Sequence, residues 1–172
     1  MLIIDPEAIP FEKIQELLEW SPLVMVSEKA VGKVLDWGIK IDVLLTAKDN
    51  EASRQIAMDQ SPMQVLISSL ENNFAAACEF LMKRKQSNLN VVIADVTTHL
   101  IFVSTQLARI NIVLFDGEVR WHFVSDGSYS KWVPAQTSVL TFINGNIEKI
   151  NVEQTGIFKI ERKESFWVGE SF

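Results

Sequence analysis

Few side chains in this sequence are suited to chemistry, and the acidic ones come first. Glu28 follows the apolar run Leu23–Val26, and Asp49 lies three residues beyond the segment Asp42–Thr46. A carboxylate in such a place can hold a hard divalent cation, which takes oxygen ligands. Asp49 is either such a ligand or a member of the polar turn Lys48-Asp-Asn-Glu51. Glu28 and Lys29 either face a nucleotide phosphate, with the lysine as its cation, or form a solvated loop. Trp167 could stack on a flat cationic heterocycle; the same ring could pack at a sheet edge or a dimer interface. His122 alternates with Trp121 and Phe123, which turns its ring to solvent or to the opposite sheet face. Trp121, Tyr129 and Trp132 are expected to supply core and cross-strand packing. Cys78 is the single cysteine and sits on an apolar helix face, so it reads as a buried, inert thiol. Other catalytic sets are missing from the sequence. One cysteine and two histidines give no zinc spacing, and there is neither a glycine-rich phosphate loop nor a nucleophile elbow.

These residues need strands and helices to position them. Leu23–Val26 is an unbroken apolar run, the mark of a strand covered on both faces. Ala30, Val31, Val34, Leu35 and Trp37 recur at helical spacing, and Gly38 can close that helix with a left-handed backbone. Asp42–Thr46 is a second strand. The unit is a right-handed βαβ crossover, and open sheets of this kind bind ligands beyond the carboxyl ends of their strands. The segments Ser27–Gly32 and Thr46–Asn50 are therefore where chemistry is expected. Before them come the strand Leu2–Ile4 and a helix over Phe11–Leu18. After them, Glu51–Met63 reads as a loop with one helical turn. Val65–Ser68 is a strand, Phe74–Met82 a helix capped by Asn72 or Asn73, and Val91–Ala94 a buried strand. Leu100–Leu107 is assigned to a helix because a parallel sheet needs a crossover there. From Ile110 the texture is all-β. Strands over 110–115 and 119–124 flank the Asp116-Gly117 turn. Further strands follow over 129–133, 138–143, 149–152 and 158–161. The expected architecture is an α/β N-terminal domain with a mostly parallel sheet, residues 1–108, followed by a small all-β, sandwich-like domain, residues 109–172.

The totals narrow the function further. The chain of 172 residues is 48% hydrophobic and 22% charged, enough for a sizeable core. A formal charge of −6 argues against binding a phosphate backbone, so no nucleic-acid partner is expected. The basic group Lys83-Arg-Lys85 closes a helix, where cations suit the helix dipole. No apolar run approaches 18 residues and no signal-peptide pattern is present, so neither a membrane span nor export is expected. A lone cysteine suits a reducing compartment, and the expected location is the cytoplasm.

Read in order, several segments resemble the thiamine pyrophosphokinase family. Gly38-Ile-Lys-Ile-Asp42 is similar to that family's Gly-Ile-Lys-Pro-Asp turn, with Ile41 in place of proline. Asn72-Asn-Phe-Ala-Ala-Ala-Cys-Glu resembles its Thr-Asp-Phe-x-Lys-Ala helix, and Val113-Leu-Phe-Asp-Gly117 the first hairpin of its β domain. Phe166-Trp-Val-Gly-Glu-Ser171 resembles the Trp-x-Gly-x-Ser segment that borders the thiamine site. The resemblance implies an α/β domain for ATP and Mg²⁺, a β domain that helps bind thiamine, and a homodimer whose sites are shared between subunits. By this resemblance Glu28, Asp49 and Asn73 fall at cofactor-binding positions, Asp49 as a metal ligand. Trp167 and Ser171 fall at substrate-binding positions. In an active member, pyrophosphate would pass from ATP to the thiamine hydroxyl.

The departures fall on the chemistry. Glu28 stands for an aspartate, Lys29 for a glycine and Gly32 for an asparagine. Ala47 replaces the first aspartate of an Asp-Phe-Asp-Ser motif, of which Asp49 keeps the second. Asn73 stands where a third aspartate is expected, and Ala76 where a lysine is expected. His99 matches the family histidine only if residues are deleted around it. The family's final strands have no counterpart after Ser171, so the β domain is expected to be shortened. With two metal carboxylates gone, the resemblance implies a retained fold with a degenerate transfer site. The alternative is a non-catalytic descendant that senses a ligand or binds a protein.

Overall fold

A computed structural model describes residues 1–20, 23–69, 72–104 and 110–172. The apolar runs form the centre of a parallel sheet. β1 (Leu2–Ile3) lies between β2 (Met25–Ser27) and β5 (Asn88–Val92), and β2 continues to β3 (Val43–Thr46) and β4 (Gln64–Ile67). Every residue of β1, β2 and β3 is buried, as strands covered on both faces must be. Alternation along these strands divides the core in two. Ile3, Val26, Leu44 and Val92 pack on the side of α1 (Phe11–Leu18) and α2 (Val31–Asp36). Leu2, Met25, Val43 and Val91 pack on the other side, with α4 (Asn73–Lys83) and α5 (Val96–Ser104). Cys78 is fully buried in that second layer, and burial pushes its thiol up to about 11, which makes it unreactive. Gly38 closes α2 with φ +70°, its amide donating to the Leu35 carbonyl at 2.8 Å.

The strand pairing passes into the β half without a break. β6 (Asn111–Asp116) pairs parallel to β5 and then antiparallel to β7 (Val119–Val124). β7 pairs with β12 (Phe166–Ser171), β12 with β9 (Ser138–Ile143), and β9 with β10 (Asn146–Asn151). The result is a ten-stranded sheet in the order β10-β9-β12-β7-β6-β5-β1-β2-β3-β4. β8 (Ser128–Val133) and β11 (Gly156–Glu161) form a separate two-stranded sheet. It closes over β9 and β12 through Val133, Val139, Ile160, Phe166 and Val168, which makes this end a sandwich.

Several expectations need correction or a limit. The Glu51–Met63 segment is not mainly loop, because α3 (Glu51–Asp59) occupies most of it. Asn50 caps it, accepting from the Ser53 amide at 2.9 Å while Ser53 Oγ accepts from the Asn50 amide at 3.1 Å. Asn72 precedes α4 without a side-chain capping bond. The strand expected over 149–152 starts earlier, at Asn146, because Asn144 and Gly145 adopt φ +49° and +85° and turn the chain tightly. Trp132 is not core: it is 61% exposed and pairs across the strands with Ile157, itself 69% exposed. The helix expected to reach Leu107 is present as α5 to Ser104. Its last residues, and the expected boundary near Arg109, lie outside the described residues.

Candidate functional site

The carboxyl ends of β1, β2, β3 and β5 share one edge, because these strands are parallel. The chain reverses its order around β1, with β2 on one side and β5 on the other. Such a reversal opens a crevice between neighbouring loops. Asp5 occupies it. Asp5 Oδ2 accepts from the Ala94 amide at 3.0 Å, tying the loop after β1 to the loop after β5, and Asp5 Oδ1 pairs with Lys29 Nζ at 2.5 Å. The crevice is thus laced by an ion pair and a backbone contact. Nothing in the sequence singled out Asp5; its place depends on strand order, which the local pattern does not give.

The two acidic positions singled out in the sequence do lie along this edge, both exposed and both hydrogen-bonded within the chain. Glu28 follows β2, and its Oε2 accepts from Thr46 Oγ1 at 2.6 Å and from the Ala47 amide at 3.3 Å. Thr46 Oγ1 in turn accepts from the Lys48 amide at 3.4 Å, so the loop after β3 is folded beside the Glu28 carboxylate. Asp49 is held by Arg54 of α3 in a two-pronged pair, both contacts at 2.8 Å. That pair holds the Asp49 carboxyl below its usual range, chiefly through the hydrogen bond from Arg54. Asn73 sits in the first turn of α4, 2% exposed, with no donor reaching its Oδ1 among the described residues. It joins the hydrogen bonds of neither Glu28 nor Asp49. Beyond β5, Asp95 turns back on Thr97 and Thr98, whose hydroxyls hold its carboxyl below the usual range.

The residues at this edge form no ready-made cage for the magnesium ion that the resemblance implies. Among the described residues no three His, Cys, Asp or Glu side chains come together in a way that could hold a metal. The physical reason is visible at each carboxylate. A neutral hydroxyl and an amide saturate one oxygen of Glu28, and a guanidinium takes both oxygens of Asp49. A hard cation would have to displace Arg54 at Asp49, whereas Glu28 Oε1 has no internal partner among the described residues.

The β half carries two further cavities. Trp167 lies on the floor of one of about 330 Å³, with Phe123, Phe142, Ile143 and Asn144 around it. Its ring is 2% exposed and meets Phe123 edge-on at a centroid distance of 5.3 Å. Ser171 does not border that cavity. It borders a smaller one of about 140 Å³, beside Tyr129, Lys131, Ser138 and Glu170. The two residues expected to share a substrate are thus placed at separate cavities.

Glu170 is the residue that the sequence reading missed. It is 7% exposed and receives hydrogen bonds from Tyr129 Oη, Lys131 Nζ and Arg120 Nη2. Burial alone would raise its carboxyl, but the three donors outweigh it and bring the pKa down to about 2. Burial and the same carboxylate push the Tyr129 phenol well above its usual value. Burial lowers His122, which faces this group from β7. One signal was available: a glutamate inside the otherwise apolar strand Phe166–Gly169 needs a partner, and Tyr129 and Lys131 stand two apart on one face of β8.

No family model matches the sequence, and no curated protein matches it. Solved structures do. The chain is similar to thiamine pyrophosphokinase from Bacillus subtilis, with a TM-score of 0.65 and 13% identity over 99% of this chain and 97% of that one. It is similar to thiamin pyrophosphokinase from Candida albicans, with a TM-score of 0.70 and 6% identity over 99% and 88%. Yeast thiamin pyrophosphokinase gives a TM-score of 0.64 and 11% identity over 99% and 85%. At these identities the likeness is one of fold.

Proposed function

We propose, for a chain that has the thiamin pyrophosphokinase fold, that it does not carry out the pyrophosphoryl transfer for which that fold is known. In this reading it is a non-catalytic ligand-binding protein, working as a homodimer. The observation that carries the reading is the closure of Glu28 onto Thr46, at 2.6 Å, in the loop where a metal-bound nucleotide would sit. Phosphoryl transfer depends almost wholly on positioning and on neutralising charge, and the reading is supported by the lack, among the described residues, of three possible metal ligands brought together.

The ligand is thiamine or its diphosphate. Support comes from the aromatic cavity over Trp167, where Phe123 and Phe142 offer faces to a flat cationic ring. Support for the homodimer comes from Trp132 and Ile157, neighbours on β8 and β11 that leave a large apolar surface in water.

Melting curves test the reading, with thiamine, thiamine diphosphate, and ATP plus Mg²⁺ added separately. A ligand at 100 times its dissociation constant adds about 2.7 kcal/mol. The expected result is a raised melting temperature with thiamine or its diphosphate and none with ATP and Mg²⁺, in a protein that sediments as a dimer. A rise that needs ATP, Mg²⁺ and thiamine together would overturn it.

A further inference from the structure

The network around Glu170 holds more donors than acceptors. Glu170 brings one negative charge and Arg120 and Lys131 two positive ones, and both cations converge on the same oxygen, Oε2. Tyr129 takes the other oxygen. One positive charge is therefore in excess at this end of the sandwich, on side chains that are 37% (Arg120) and 43% (Lys131) exposed beside the buried Glu170. Arg120 Nε is buried and has no acceptor among the described residues. Thr141 Oγ1, on the neighbouring strand β9 and 1% exposed, is also without a partner among them. Buried polar atoms of this kind are rare, and an unpaired donor on a charged group is the costlier sort.

A cavity lies beside this group. It measures about 140 Å³, the space of about four waters at roughly 30 Å³ each. Tyr129, Lys131, Thr137, Ser138, Glu170 and Ser171 line it, so most of the polar residues around it carry a hydroxyl and one carries an ammonium. Glu170 is the acid among these lining residues, and its oxygens are already engaged. The cavity opens on the Glu170 face of β12, whereas Trp167 packs on the opposite face against the α4 and α5 layer.

We propose that this end of the sandwich is a binding site for a small oxyanion, a carboxylate or a phosphoryl group, whose oxygens take the donors that Glu170 leaves open on Lys131, with Arg120 adding its charge from beyond the cavity wall. Lys131 supplies the charge at the mouth, and the Ser138 and Thr137 hydroxyls supply neutral hydrogen bonds. Ser138 Oγ now donates to Asn151 Oδ1 at 2.9 Å and can turn toward an anion without leaving a buried group unpaired. Glu170 sets selectivity: it repels a second anion from its own position and confines the ligand to the cavity side. The proposal does not rest on thiamine binding or on the state of the carboxyl edge.

The test titrates the full chain separately with inorganic phosphate and with malonate, at an ionic strength held constant with chloride, and follows the heat of binding. Saturable binding of one or both is expected. Phosphate alone would identify a phosphoryl ligand, and malonate a carboxylate. Lys131→Met should weaken binding about tenfold or more, the scale of one lost charge-assisted contact. Ser138→Ala, which removes one exposed hydrogen bond and keeps the Glu170 network whole, should weaken it about threefold. No saturable binding of either anion would overturn the proposal. So would wild-type affinity in Ser138→Ala together with wild-type affinity in a folded Lys131→Met.

Discussion

Glu170→Gln should lower the stability of the protein by about 2–3.5 kcal/mol at pH 7. The upper figure converts the depression of its pKa, from 4.5 to about 2, at about 1.4 kcal/mol per unit. The lower allows for the partial exposure of Lys131 and Arg120, whose charges water screens. In a chain of this length that is a fall of roughly 5–10 °C in melting temperature. The substitution keeps the shape and two acceptor or donor positions, so what it removes is the charge that three donors face. The pH dependence gives a sharper check. A carboxylate whose folded pKa lies below its unfolded one adds stability above the unfolded value. The difference between wild type and Glu170→Gln should therefore be full above about pH 5. It should shrink as the pH falls below 4.5 and vanish near 2. Urea unfolding at a series of pH values measures it. A difference that stays constant down to pH 2 would mean the charge is not what matters.

The second large effect belongs to Trp167. Trp167→Ala should cost about 3–5 kcal/mol, since it empties a fully buried indole position in the core shared by α5 and β12. The lost edge-on contact with Phe123 is part of that figure. Against a total stability of about 5–15 kcal/mol, such a loss brings the chain close to unfolding. Trp167→Phe keeps an aromatic ring and should cost about 1–2 kcal/mol. The pair separates two roles. Denaturant unfolding of both variants reports the packing role, and thiamine affinity in the folded Trp167→Phe reports the binding role. A Trp167→Ala protein as stable as wild type would show that the ring is not part of the core.

What the sequence made legible was whatever depends on neighbours along the chain. The apolar runs at Leu2, Leu23 and Asp42 are the centre of the parallel sheet, and the helical spacing from Ala30 to Trp37 is α2. The Asp116-Gly117 turn lies between β6 and β7, with Gly117 at φ +60°. α3 was missed because its stability comes from a cap, the exchange between Asn50 and Ser53, while its surface carries little apolar stripe. The pairing of β5 with β6, which makes one sheet of both halves, leaves no local trace.

The candidate sites follow the same rule. Glu28 and Asp49 follow β2 and β3, at the strand ends where the local strand-helix-strand pattern puts them. Their engagement by Thr46 and Arg54 was not legible, because each depends on how a loop folds back rather than on residue type. Glu170 meets partners 39, 41 and 50 residues away, and Asp5 meets Ala94 across 89. Contacts of that range are set by topology. Trp167 was recognised as an aromatic of interest, but its depth of burial follows from the way β12 inserts between β7 and β9.

The proposal that a chain with this fold carries out no pyrophosphoryl transfer has a direct test. AMP release from ATP, with Mg²⁺ and thiamine present and the protein in excess over ATP, tests it most directly. The account predicts no AMP above the protein-free control. AMP formed in step with thiamine diphosphate, and abolished by chelating the Mg²⁺, would contradict it.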